Sequence, residues 1–241
     1  MIANWLTLPP ERIVLVEPFF FSLRNPGMLR EQLDGLGLPP SDEEWQHPDA
    51  SWQDRFFRLF SPRLAGRHWA FKEVLSAEHR RVISTFAPRR IVVTVRNIRD
   101  IAASFLEKHK IQKNTDRLDH DWVSSYCLRE SHEIVDFCTT LKDRGIPWRV
   151  SRYEDFVASA EMRNALAEFV GWPGGGDVAR HLDRLRRSFE IERHGRMVSS
   201  QRRHWNERDL DSRERVLAEE IVSQCSRYQD FFGYCSSEAA P

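Results

Sequence analysis

The residues best placed to do chemistry on an anion stand where apolar runs end. Arg96 closes the run RIVVTVR, and a helical pattern begins at the next residue. A strand that delivers a guanidinium to the mouth of a sheet, followed at once by the free amides of a helix N-terminus, combines charge and dipole at one point; a phosphate fits there. Arg99 lies in that helix's first turn, where a cation opposes the dipole. Either a bound anion offsets it, or it pairs with Asp100 or another exposed carboxylate. Ser104 lies about two turns along, where local chemistry alone reads it as an ordinary helix serine. Glu17 closes the earlier run Ile13 to Val16 as a charged strand end and precedes Pro18, a pairing that on its own reads as a solvated turn. Lys72, in Trp69-Ala-Phe-Lys72-Glu73, and the group Tyr153, Glu154 and Asp155 close two further runs. In open parallel sheets ligands bind beyond the carboxyl ends of strands, which puts all of these at the favoured edge.

The elements that must position them alternate. Short β-like runs are separated by longer runs with apolar residues at three- and four-residue steps, the pattern of a mostly parallel central sheet with helices on both faces. Arg90 to Arg96 has a continuous β-branched core and is expected to be the central strand, buried on both faces. Pro147 to Tyr153 follows Gly145 and reads as another strand. Helices are expected from Asn97, from Asp119 to Arg144, and around Glu161 to Val170, Asp177 to Ser188 and Ser212 to Arg227. Residues 1–235 are expected to form one α/β domain with a loop insertion over 38–54, and the polar tail 236–241 is expected to be frayed.

Composition removes several function classes. The 241 residues carry 36 basic and 36 acidic side chains, so no overall field draws the chain to nucleic acid or to an anionic membrane. The longest apolar stretch, Ile13 to Phe21, is interrupted by Glu17 and Pro18 and falls far short of the roughly 20 residues of a membrane span. The start, MIANWL, has no readable secretory signal, and the expected location is cytoplasmic. Four cysteines without a CxxC pair are expected to be buried thiols rather than disulfides. Nine histidines show no HExxH-like spacing, and no metal is expected.

VRNIRDIAASF resembles the (V/L)RDPRDxxxS motif of sulfotransferases that use phosphoadenosine phosphosulfate (PAPS), with Asn97-Ile98 in place of Asp-Pro. The resemblance implies that Arg96 and Ser104 hold the 3′-phosphate of PAPS or of its product PAP. LTLPPERIVLVEPFF is similar to the segment that follows the first helix in carbohydrate and bacterial sulfotransferases, which gives Glu17 the role of general base. WAFKEVL resembles the family's lysine segment and places Lys72 near the transferring group. RYEDF resembles the YEDL strand end and implies that Tyr153, Glu154 and Asp155 lie on the cofactor side. RHGRMVSSQRRHW stands where the family carries a basic loop over the nucleotide, so Arg202, Arg203 and Trp205 join Arg99 as cofactor-side candidates.

The family also carries an N-terminal strand and a (K/R)xGxT loop that cradles the phosphosulfate. No glycine precedes Gly27, and MIANWLTLPP resembles the second half of the helix that follows this loop. The expectation is therefore a sulfotransferase or P-loop-like α/β domain that is N-terminally truncated, with exposed sheet edges where its first strand would sit. A partner that supplies the strand, or a member that has lost catalysis, are the alternatives. The implied activity is transfer of a sulfuryl group to a small-molecule or carbohydrate hydroxyl or amine. Its rivals are a degenerate nucleotide- or partner-binding module and a small-molecule or nucleotide kinase, the last without a Walker-type GKS or GKT.

Overall fold

The computed structural model describes residues 2–18, 20–21, 26–45, 51, 54, 56–112, 120–172 and 204–234. The elements run α1 (Ile2–Leu6), β1 (Arg12–Val16), α2 (Pro26–Gly35), α3 (Asp42–Trp45), a π turn (Phe56–Phe60), α4 (Ser61–Leu64), β2 (His68–Lys72) and α5 (Ser76–Phe86). They continue with β3 (Ile91–Val95), α6 (Ile98–Gln112), α7 (His120–Asp143), β4 (Trp148–Arg152), α8 (Tyr153–Ala158) and α9 (Ala160–Val170). A 3-10 turn (Trp205–Glu207), α10 (Ser212–Gln224) and α11 (Ser226–Phe232) complete the described chain. This is an α/β architecture, rich in helix, with small parallel sheets.

β1 pairs in parallel with β2, and β3 pairs in parallel with β4. Among the described residues the expected single central sheet is instead two two-stranded sheets, and β3 is bonded along one edge only. The expectation that β3 is central is corrected with it, whereas apolar layers meet it on both faces, through Val93 and Val95 on one and Val92 on the other. Val93 and Val95 are buried, Val92 is half-buried and Thr94 is exposed.

Side chains that alternate along each strand reach two apolar layers. On one face, Ile13 and Leu15 of β1 pack with Trp69 and Phe71 of β2 beneath Leu29 and Leu33 of α2 and Phe86 of α5. Val93 and Val95 of β3 meet Ile83 of α5 and the apolar stripes of α6, α7, α10 and α11. On the opposite face Val14, Val16, Ala70 and Val92 meet α1, α8 and α9 through Trp5, Phe156 and Leu166. Helices thus cover both faces. Arg12 donates to the Trp172 carbonyl and Arg90 to the Val170 carbonyl, so the N-terminal ends of β1 and β3 meet the same chain segment. Both sheets therefore point the same way.

The helix expected at Ser212 to Arg227 is divided at Cys225 into α10 and α11. The helix expected at Asp177 to Ser188 and the tail 236–241 lie outside the described residues. Cys127, Cys138 and Cys225 are free and buried, and burial pushes the Cys127 and Cys138 thiols up to about 12. Among the described residues no helix is long and apolar enough to cross a membrane.

The segment 38–54 contains α3, whose start is closed by a reciprocal cap. Ser41 N–H donates to Glu44 Oε2 at 2.7 Å, and Glu44 N–H donates to Ser41 Oγ at 3.2 Å. Arg63 grips the same carboxylate through Nη1 and Nη2, at 3.2 and 2.7 Å. The Arg63 bonds first, and the Ser41 amide second, hold the Glu44 carboxyl down at about 2. A folded-state value below the unfolded one stabilises above the ordinary carboxylate range and is lost as pH falls through the folded value. A side-chain NMR titration should find the Glu44 midpoint near pH 2, with this contribution fading between roughly pH 4.5 and 2. A midpoint at the ordinary carboxylate value would refute the Arg63 contact.

Candidate functional site

Glu17 and Lys72 meet at the upper end of the first sheet. Glu17 N–H extends the ladder to the Lys72 carbonyl at 2.9 Å, and Lys72 Nζ lies 2.9 Å from Glu17 Oε1. The side chains are 29% and 44% exposed, so the pair is wet and contributes little to stability. Its interest lies in the backbone: Glu17 has φ 51°, the left-handed region that a residue with a Cβ occupies at a cost of about 1–3 kcal/mol. Beside it, burial pushes the Glu73 carboxyl up although it accepts from the Val74 and Leu75 amides, at 2.8 and 2.9 Å. A carboxylate and an ammonium in reach of solvent at adjacent strand ends can accept a proton and balance developing negative charge.

The second sheet ends on the β3–α6 junction. Asn97 caps α6, its Oδ1 accepting from Arg99 N–H at 2.9 Å, and Asn97 N–H donates to Glu154 Oε1 at 3.0 Å. Tyr234 donates to the other Glu154 oxygen at 2.9 Å. The Tyr228 hydroxyl accepts from Arg96 N–H at 3.2 Å and donates to the Arg96 carbonyl at 2.8 Å. Burial raises the Tyr228 and Tyr234 phenols well above their ordinary range, which keeps both as proton donors.

Arg96 Nη2 lies 3.3 Å from Asp100 Oδ2, and its guanidinium sits 4.6 Å above the Tyr153 ring, whose phenol burial also raises. Ser104 is one turn beyond Asp100 on the same helix face, and it is half-buried. The junction thus aligns Arg96, Asp100 and Ser104 along one side of α6. Arg99 behaves as the pairing alternative anticipated: its Nη2 lies 2.7 Å from Glu219 Oε2, and it stacks 5.3 Å above the Trp205 ring. Arg215 covers that ring as well, at 5.6 Å. Two arginines therefore contact the Trp205 ring. Asp155 is half-buried in the first turn of α8. Arg202 and Arg203 lie outside the described residues.

The residues that a reading of local motifs misses are Tyr228 and Tyr234. They follow the junction by more than a hundred positions and carry no motif. Asn97 was legible in principle, since asparagine before a helical stripe is a cap signal. Among the described residues no group of three or more His, Cys, Asp and Glu is placed to hold a metal ion. No protein-family model, no curated protein and no solved structure matches the chain.

Proposed function

We propose that the protein transfers a sulfuryl group from PAPS to a hydroxyl or amine of a small molecule or carbohydrate. The observation that carries this reading is the 2.9 Å contact between Lys72 and Glu17, residues 55 positions apart that end adjacent parallel strands. PAPS supplies the activated sulfuryl group and departs as PAP. Glu17 takes the acceptor proton as the acceptor oxygen or nitrogen bonds to sulfur. Lys72 balances negative charge on the transferring group. Arg96 and Ser104 hold the 3′-phosphate, with the Tyr153 ring beneath the guanidinium.

The test is PAPS-dependent sulfation by the chain alone and with an added upstream strand and phosphate loop. Glu17→Gln is expected to reduce turnover at least about 100-fold while PAP affinity stays within about twofold. Arg96→Ala is expected to abolish PAP binding. Turnover absent from both folded forms defeats the enzyme reading. A second reading, a sulfotransferase-like module without turnover, draws on one further observation: Asp100, Glu154 and Glu219 already engage the donors of the junction. PAP binding without sulfation would select it.

A further inference from the structure

α7 is far longer than the strands beside it. Its 24 residues span about 36 Å, and each five-residue strand about 17 Å. It ends where the chain turns into the lower end of β4, so its first half stands beyond the upper strand ends. One ring contact fixes the level: Phe137 meets His79, in the first turn of α5, at 4.8 Å. Tyr126, Glu130, Glu133 and Phe137 follow one another at four-, three- and four-residue steps and share one face of α7. The charges of Glu130 and Glu133 reach His79. Tyr126 begins this stripe, about 16 Å further up the helix. There the Glu17 carboxylate is among the charges that act on its phenol, so Tyr126 overhangs the strand end that carries the Glu17–Lys72 pair.

Three side chains hold the Tyr126 ring. Trp122 lies nearly parallel to it at 4.7 Å and 16°, Phe105 of α6 meets it edge-on at 5.1 Å and 68°, and the Arg129 guanidinium lies 5.5 Å from its centre. The hydroxyl is treated differently. Among the described residues it has no hydrogen-bond partner, whereas the Tyr228 and Tyr234 hydroxyls are both engaged. Burial first, then the Glu130 charge, and in smaller measure Glu17, push the Tyr126 phenol up, so at neutral pH it carries its proton. A clamped ring whose hydroxyl can both donate and accept, beside a general base, is equipped to orient a substrate.

We propose that Tyr126 is an acceptor-binding residue whose hydroxyl bonds a second polar group of the acceptor while Glu17 takes the proton from the reacting one. The favoured acceptors therefore carry two hydroxyl or amine groups rather than one. This assignment rests on the sulfuryl-transfer reading of the Glu17–Lys72 pair, and it adds a selectivity that the pair alone does not supply.

The test compares cyclohexanol with 1,2-, 1,3- and 1,4-cyclohexanediol, which share a ring and differ in the second hydroxyl. In PAPS-dependent sulfation, kcat/KM for at least one diol is expected to exceed that for cyclohexanol about 10-fold, and Tyr126→Phe, which keeps the stacked ring, should bring the ratio down to about 2 or less. A wild-type ratio of no more than about 2, the statistical gain from a second equivalent hydroxyl, overturns the proposal, as does a preference that survives Tyr126→Phe. A second readout needs no turnover. The chain has four tyrosines, so with carbon-13 at Cζ the variant identifies the Tyr126 resonance. That resonance is expected to shift on adding the favoured diol and to stay in place with cyclohexanol; no shift with any diol overturns the contact. A diol-dependent shift without sulfation overturns the sulfuryl-transfer reading and retains the Tyr126 contact. Sulfation whose diol preference outlasts the hydroxyl does the reverse.

Discussion

Glu107→Ala is expected to lower folding stability by about 3–5 kcal/mol, read from the urea midpoint at constant m. Glu107 Oε2 lies 2.8 Å from Arg208 Nη1, and each side chain retains 6% of its exposure. Attraction between such charges is strong, but so is the cost of taking both out of water, and the intact pair contributes little net stability. Removing Glu107 takes the 2.8 Å charge contact away from a guanidinium that stays buried. Replacing both by leucine, with similar volume, should recover most of the loss, and a double-mutant cycle would show the coupling. A single-variant cost under about 1 kcal/mol would mean that water reaches Arg208, contrary to its burial between α6 and the turn before α10.

Phe156→Ala should cost a similar amount, about 3–5 kcal/mol, by a different route. The ring is 2% exposed and meets Trp5 edge-on at 5.5 Å and 85°. It also touches the layer of Val14, Leu166 and Trp172, so its loss opens a cavity where α1, β1 and α9 converge. The Trp5 environment should become more polar, visible as a red-shifted emission. Phe57→Ala is the control: that ring is 67% exposed, and its removal should change stability by no more than about 0.5 kcal/mol. Equal effects of the two substitutions would overturn the assignment of the second core layer.

Much of the scaffold was legible because strand and helix periods are local. The runs ending at Val16, Arg96 and Tyr153 became β1, β3 and β4 within a residue or two, and α7 begins and ends beside its expected cap and stop. Lys72 also fell at a strand end, although WAFK alone says little. Other features depend on partners distant in sequence. No helix is expected between Val16 and residue 38, yet α2 lies there, and its Leu29 and Leu33 gain their meaning only from Ile13 and Leu15. YEDF reads as the end of a strand, yet Tyr153 already starts α8. The composition of RIVVTVR is the same whether one edge or two are bonded, so which strand edges stay open was not legible in that run. Glu107 looked like one charge on a polar helix face until Arg208, 101 positions later, was placed against it.

The two bonds from the Tyr228 hydroxyl to Arg96 also bear on biosynthesis. Residue 228 is 132 positions downstream of the junction it clamps. At about 5–20 residues per second, a ribosome takes roughly 7–26 s to add them. Throughout that interval the newly made junction lacks the hydroxyl that satisfies its main chain and must wait, solvated or chaperoned, for the later helix to emerge. A premature stop between residues 153 and 228 would therefore leave β3 and β4 synthesised in full but their upper end without its clasp.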